Sequence, residues 1–282
     1  MSRNGKVTLA HPYTISSHSN LLATMNRVLI TEEPAQLTPI NPSPDKGTWR
    51  YSGMFSQTPA ADGMSQYQHL QHLLWRDPAL YTKLGRDGGL KSLLLNRMQD
   101  IWKWSLEARD LPDAQGIRQK LINLLYVLHG TSCVQQDLRQ EPAGAIHDPE
   151  NQSIVQAANV PLLDCLQAAG EPYFIHVAGH VEKFIKSPGV PSNQARSATQ
   201  IKLELGQVNN VSYRMLTSVQ QLITLSDAQL IQATAQRNEL AGLANDALAG
   251  WIDPATGQEQ PGVQAICNEI QRLSTLEISA VH

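Results

Sequence analysis

Between residues 197 and 225 apolar side chains recur at alternating steps of four and three: Ile201, Leu205, Val208, Met215, Val219 and Leu222, with Ser212 in the same register. That spacing keeps one stripe of a 3.6-residue helix apolar and predicts a long amphipathic helix. Ile117, Leu121, Leu124 and Leu128 repeat the pattern over 112–128. Pro112 is tolerated near the start of that helix because first-turn amides have no intrahelical partner. Further helices are expected at 65–75, 88–108, 152–168, 173–186, 226–249 and 261–274, the penultimate one capped at Ser226-Asp227. Period-two alternation is nearly absent, so the expected fold is all-α. Residues 1–60 are different in texture, rich in Ser, Thr, Asn and Pro (Pro34, Pro39, Pro42, Pro44, Pro59), and only 26–31 resembles a strand or short helix. They read as a flexible N-terminal arm ahead of a helical domain over 61–282.

Composition narrows the function classes. The chain has 282 residues, 17% charged and 41% hydrophobic, the ordinary balance of a globular protein. A net charge of −3 and the lack of a basic run give no reason to expect nucleic acid as a partner. No run of 18 apolar residues is present and the first residues lack an apolar signal core, so no membrane partner and no secretory route are expected. Cys133, Cys165 and Cys267 fit neither a disulfide framework nor a zinc spacing. Cys133 reads as a small buried hydrophobe, and the expected compartment is the reducing cytoplasm.

The most informative chemistry lies in Tyr173-Phe-Ile-His-Val-Ala-Gly-His-Val-Glu-Lys-Phe-Ile185. On a helix, His176 and His180 stack on one face beside an aromatic-rich apolar stretch. Neutral imidazole among apolar groups is what a haem iron takes as its proximal ligand. The same spacing also arises on a helix with two half-exposed histidines and no metal.

Three segments, in order, resemble the tryptophan 2,3-dioxygenase superfamily of histidyl-ligated haem enzymes. Asp87-Gly-Gly-Leu-Lys-Ser-Leu-Leu-Leu-Asn-Arg-Met-Gln-Asp-Ile-Trp102 is similar to the family's distal helix, with Gln66-Tyr-Gln-His-Leu-Gln-His-Leu-Leu74 upstream of it. Val127-Leu-His-Gly-Thr-Ser-Cys-Val-Gln-Gln-Asp-Leu-Arg-Gln-Glu-Pro-Ala-Gly144 resembles its substrate segment, and the His176 segment its proximal helix. The resemblance implies an all-α, oligomeric fold (dimer or tetramer) around one haem b, oxidising an aromatic amino acid or indole with O2 or peroxide.

By the same resemblance His176 is the axial ligand, with His180 as the alternative, and Arg97 meets a haem propionate. Arg139 holds the substrate carboxylate bidentately, and Trp102 and Ser192 line the small aromatic substrate. Asn96 stands where the family has its distal histidine; it can donate a hydrogen bond but cannot take a proton. Ser187-Pro-Gly-Val-Pro-Ser-Asn-Gln-Ala-Arg196 replaces the family's glycine-rich loop. These departures imply a substrate other than tryptophan. The same composition also accommodates a different class altogether, a non-enzymatic helical interaction or secreted effector-type protein that needs no cofactor.

Overall fold

A computed structural model describes residues 20–32, 44–84, 88–138, 160–164 and 171–281, and these form a mostly helical fold with two small sheets. The helices are α1 (Gln66–Leu74), α2 (Pro78–Leu84), α3 (Gly89–Asp110), α4 (Ala114–Asp137), α5 (Tyr173–Lys186), α6 (Ser192–Ile223), α7 (Asp227–Gln232), α8 (Thr234–Ala249) and α9 (Val263–Arg272). The core forms where α3 packs on α4 and α8, and where the long α6 packs on α4, α5 and α8. Leu94, Met98 and Ile101 of α3 meet Leu121, Leu124 and Leu125 of α4 there, with Ile201, Val208 and Met215 of α6, all without solvent exposure. Each such side chain contributes about 1.5–3 kcal/mol by leaving water. The stripe read from 197–225 is therefore the buried face of α6.

Two arginines finish helices that the apolar pattern alone would leave open. The last carbonyls of a helix have no intrahelical donor. The buried Arg237 supplies donors to Ala108 O, Arg109 O and Leu111 O at the end of α3, and Arg118 to Ile223 O and Leu225 O beyond α6. The helix expected over 226–249 is broken at Ala233, which carries ψ 39° between α7 and α8. That expected at 112–128 continues to Asp137 through a kink at Gly130 (φ 79°). Within the expected helix 152–168, residues 160–164 form a bend, and the rest lie outside the described residues. Leu162 N and Leu163 N bond the α4 carbonyls of Val127 and Leu128, while Pro161 O and Leu162 O accept from the first amides of α5. The bend thus sets where α5 begins.

The described part of the expected arm is folded. Strand β1 (Arg27–Thr31) pairs antiparallel with β2 (Trp49–Met54), which pairs with the short β5 (Ser279–Ala280) near the other end of the chain. A second ladder joins β3 (Gly250–Ile252) to β4 (Glu259–Pro261). Backbone pairing across distant segments fixed these strands, which lack the alternation that would have marked them. Leu22 O accepts from Tyr67 Oη and Gln71 Nε2, and Asn20 Nδ2 donates to Leu74 O, so the N-terminal segment braces α1. Cys133 is buried as expected but disulfide-bonded, whereas Cys267 is a buried free thiol. Among the described residues no helix is long and apolar enough to cross a membrane.

The end of α1 meets the start of α3 with no room to spare. Gly89 has φ +67°, and a Cβ there would lie 2.6 Å from Leu74 C and 2.7 Å from Leu73 O. Gly89→Ala is expected to cost about 1–3 kcal/mol through the left-handed backbone alone, with the backbone clash adding to it. Urea denaturation monitored by far-UV circular dichroism measures this, and a midpoint equal to wild type would contradict the packing described.

Candidate metal centre

Helix α1 packs on α5, and the polar faces of the two meet. A capping box starts α1: Ser65 Oγ accepts from Gln68 N, and Gln68 Oε1 accepts from Ser65 N. That start places His69 and His72 one turn apart, on the side facing α5. The i, i+4 pair of α5 supplies His176 and His180. Between them comes Asp77, the residue that begins α2. Its Oδ1 accepts from Leu80 N at 2.9 Å, so it is the N-cap of that helix, with Pro78 at the first helical position.

The other oxygen of Asp77 faces the imidazoles. Oδ2 lies 3.0 Å from His176 Nε2, 3.1 Å from His72 Nδ1 and 3.6 Å from His180 Nε2. His72 Nδ1 and His180 Nε2 are 3.3 Å apart. On the far side of its ring, His180 Nδ1 meets His69 Nδ1 at 3.1 Å, and His69 Nε2 faces Asp62 Oδ2 at 3.4 Å. His176 Nδ1 faces Glu171 Oε2 at 3.5 Å. Asp62 is held by its own turn, where Oδ1 accepts from Met64 N beside Gly63 (φ 81°), and Lys183 Nζ stands 3.9 Å from Oδ2.

The cluster is buried at one end and open at the other. His69 is 0% exposed and Asp77 4%, while the His72 and His176 side chains are 21% and 17% exposed. Burial works to raise the Asp77 pKa, but hydrogen bonds from His176, His72 and Leu80 N–H overcome it and hold the carboxyl well below the usual carboxylate range. Burial pushes His180 down to about 3, and the neighbouring imidazoles His72, His176 and His69 push the same way against Asp77. Burial likewise lowers His69, opposed by Asp62. At neutral pH the buried members are a carboxylate and uncharged imidazoles. Those are the protonation states in which such side chains ligate metals.

His72, Asp77 and His180 can offer one donor atom each within 4.8 Å of one another. Their separations of 3.1, 3.3 and 3.6 Å bracket the ~3.3–3.4 Å edge of a tetrahedron whose ligands stand ~2.0–2.1 Å from the ion. His176 Nε2 instead hydrogen-bonds the Asp77 ligand oxygen, a supporting contact of the kind that orients metal ligands.

The residues expected to form a haem site are distributed otherwise. His176 and His180 are together, as the spacing predicted, but both nitrogens of His176 face carboxylates rather than an apolar slot. Asn96 and Trp102 are exposed on α3, and Ser192 is exposed at the start of α6. Arg97 is buried within α3, and Arg139 lies outside the described residues. Haem needs an apolar slot on both faces of the macrocycle and an imidazole nitrogen free to meet iron. Asp77 and Glu171 stand 3.0 and 3.5 Å from the two nitrogens of His176 instead, so an apolar slot with a free nitrogen is not what surrounds this residue. His69, His72 and Asp77 were not singled out from sequence. The available signals were the His-x-x-His spacing in a short helix and an Asp-Pro helix start.

Asp77 serves both the helix and the cluster, and two substitutions separate these roles. Asp77→Asn keeps a capping oxygen but removes the charge, whereas Asp77→Ala removes both. Metal-free Asp77→Ala is expected to be less stable than metal-free Asp77→Asn by about 1 kcal/mol, the usual worth of an N-cap. Equal denaturation midpoints for the two variants would refute the capping role.

No protein-family model, no curated protein and no solved structure matches this chain. The functional argument therefore rests on the residues and their geometry.

Proposed function

We propose that this protein binds one divalent transition-metal ion through His72 Nδ1, Asp77 Oδ2 and His180 Nε2, with a further coordination position open to solvent. The observation that carries the reading is the convergence of these donors at separations of 3.1, 3.3 and 3.6 Å. Two imidazoles and a carboxylate are borderline ligands that suit Zn2+ and Fe2+. Cis ligands of an octahedron at similar bond lengths would stand ~3.0 Å apart, so the wider spacing here favours the tetrahedral preference of Zn2+. With three protein ligands and an exposed edge formed by His72 and His176, the arrangement matches that of catalytic rather than structural zinc.

An ion so held supplies Lewis-acid chemistry, polarising a water or carbonyl oxygen at the open position. The chain's own part is to hold two imidazoles and an ionised carboxylate in register, with Asp77 and His180 buried and His72 facing outward. Metal-assisted hydrolysis is the reaction class this supports best. Oxidation of an aromatic substrate has less support, because Asn96, Trp102 and Ser192 are exposed and both nitrogens of His176 face carboxylates.

Competition titration against a chromophoric chelator tests the proposal. Wild-type protein is expected to bind one equivalent of Zn2+, and His180→Ala and Asp77→Asn each to lose that binding. At a Zn2+ concentration 100-fold above its Kd, unfolding of the wild type is expected to become about 2.7 kcal/mol less favourable. Binding that survives both substitutions, or no uptake by the wild type, would refute the proposed centre.

A further inference from the structure

The metal reading leaves one buried group without a task. His69 is fully buried, touches none of the atoms aimed at the metal, and is more polar than its place between α1 and α5 needs. We propose that His69 is a positioning residue that holds His180 in the tautomer whose free Nε2 lone pair points into the metal site, with Asp62 anchoring His69 in turn. This inference rests on the metal reading of His72, Asp77 and His180.

The hydrogen bonds can be assigned by working outward from Asp77. An ionised carboxylate only accepts. His72 Nδ1 and His176 Nε2, at 3.1 and 3.0 Å from Oδ2, therefore both carry protons in the metal-free protein. His180 Nε2 lies 3.3 Å from the His72 Nδ1–H, so two N–H groups would face each other if it too were protonated. Neutral His180 thus carries its proton on Nδ1. That N–H is 3.1 Å from His69 Nδ1, which must accept it. The His69 proton is then on Nε2, whose nearest carboxylate is Asp62 Oδ2 at 3.4 Å, an ion-pair distance without hydrogen-bond geometry.

The assignment has a single solution because it starts from a carboxylate that only accepts and passes through the hydrogen-bonded nitrogens of His180 and His69. The result is that His180 presents a lone pair to the metal before any metal arrives. Of the ligand rings, only the half-exposed His72 must move its site-facing proton to its other nitrogen. Metal-ligating histidines commonly give their second N–H to a carboxylate, carbonyl or water. Here a second histidine stands in that place and carries the contact on to Asp62. Asp62 belongs to the turn before α1, and Lys183 of α5 also faces it, so the chain of contacts spans both helices.

The test pairs a tautomer measurement with a metal titration. Long-range 1H–15N correlation of metal-free wild type is expected to show His180 as the Nδ1–H form and His69 as the Nε2–H form. His69→Leu, which fills the space with no acceptor, is expected to lower Zn2+ affinity about 10–100-fold and to free the His180 tautomer. His69→Gln restores an acceptor oxygen and is expected to recover part of the affinity. An Nε2–H form of His180 in the wild type would overturn the inference, as would His69→Leu with unchanged Zn2+ affinity. Failure of the wild type to take up Zn2+ overturns the metal reading itself, and with it the metal role of His69. Wild-type uptake that is indifferent to His69→Leu overturns only the positioning role.

Discussion

The site depends on the Asp77 carboxylate and on the fact that its two oxygens face different ways. Oδ1 turns back to cap α2, while Oδ2 projects between His72, His176 and His180. A carboxylate 4% exposed is expensive to bury unless hydrogen bonds replace its water. Here the cap and the imidazole donors replace it. The exchange is mutual: without a negative acceptor, the histidines of α1 and α5 would present lone pairs and N–H groups to one another with no common partner. The meeting of these two helices is therefore an electrostatic arrangement as much as a packing one.

The surroundings explain how a helical bundle tolerates that polarity. An unsatisfied buried polar group costs about 1–3 kcal/mol, and several at once would use a large share of a domain's net stability of about 5–15 kcal/mol. The cluster limits that cost because Asp77, His180, His69 Nδ1 and His176 hydrogen-bond one another or lie within ion-pair distance of a carboxylate, which leaves His69 Nε2 as the one buried cluster nitrogen without a hydrogen bond among the described residues, 3.4 Å from Asp62 Oδ2. Its inner end is closed by α1, α5 and the turn before α1. Its outer end opens at His72 and His176, whose side chains are partly exposed.

Much of the scaffold was legible in the sequence because one physical signal, apolar residues at helical spacing, dominates it. The stripe from Ile201 to Leu222 is buried in α6, and the helix expected at 173–186 has those bounds. Of the strands only β1 was signalled, by the reading of 26–31 as a strand or short helix; β2 and β5 pair segments more than 200 residues apart, and short pairing of that kind leaves little alternation to read. The site was half legible. The His176 and His180 spacing pointed to a metal on one helix face. Its partners come from about 100 residues earlier, and only tertiary packing brings His69, His72 and Asp77 to that face. Following the resemblance to haem oxygenases led instead to Asn96 and Trp102, which α3 turns toward solvent. A bare His-x-x-x-His pair does not say whether its surroundings are apolar, as haem needs, or anionic, as a small cation needs. Asp77 makes them anionic.

The central claim is that a single ion is held by two imidazoles and one carboxylate. Zn K-edge X-ray absorption of the zinc-loaded protein addresses it most directly. The account predicts four-coordinate nitrogen and oxygen ligation at ~2.0–2.1 Å, with the multiple-scattering pattern of two imidazoles, falling to one in His180→Gln. A six-coordinate, oxygen-only shell without imidazole scattering would contradict it, as would a wild-type spectrum unchanged by that substitution.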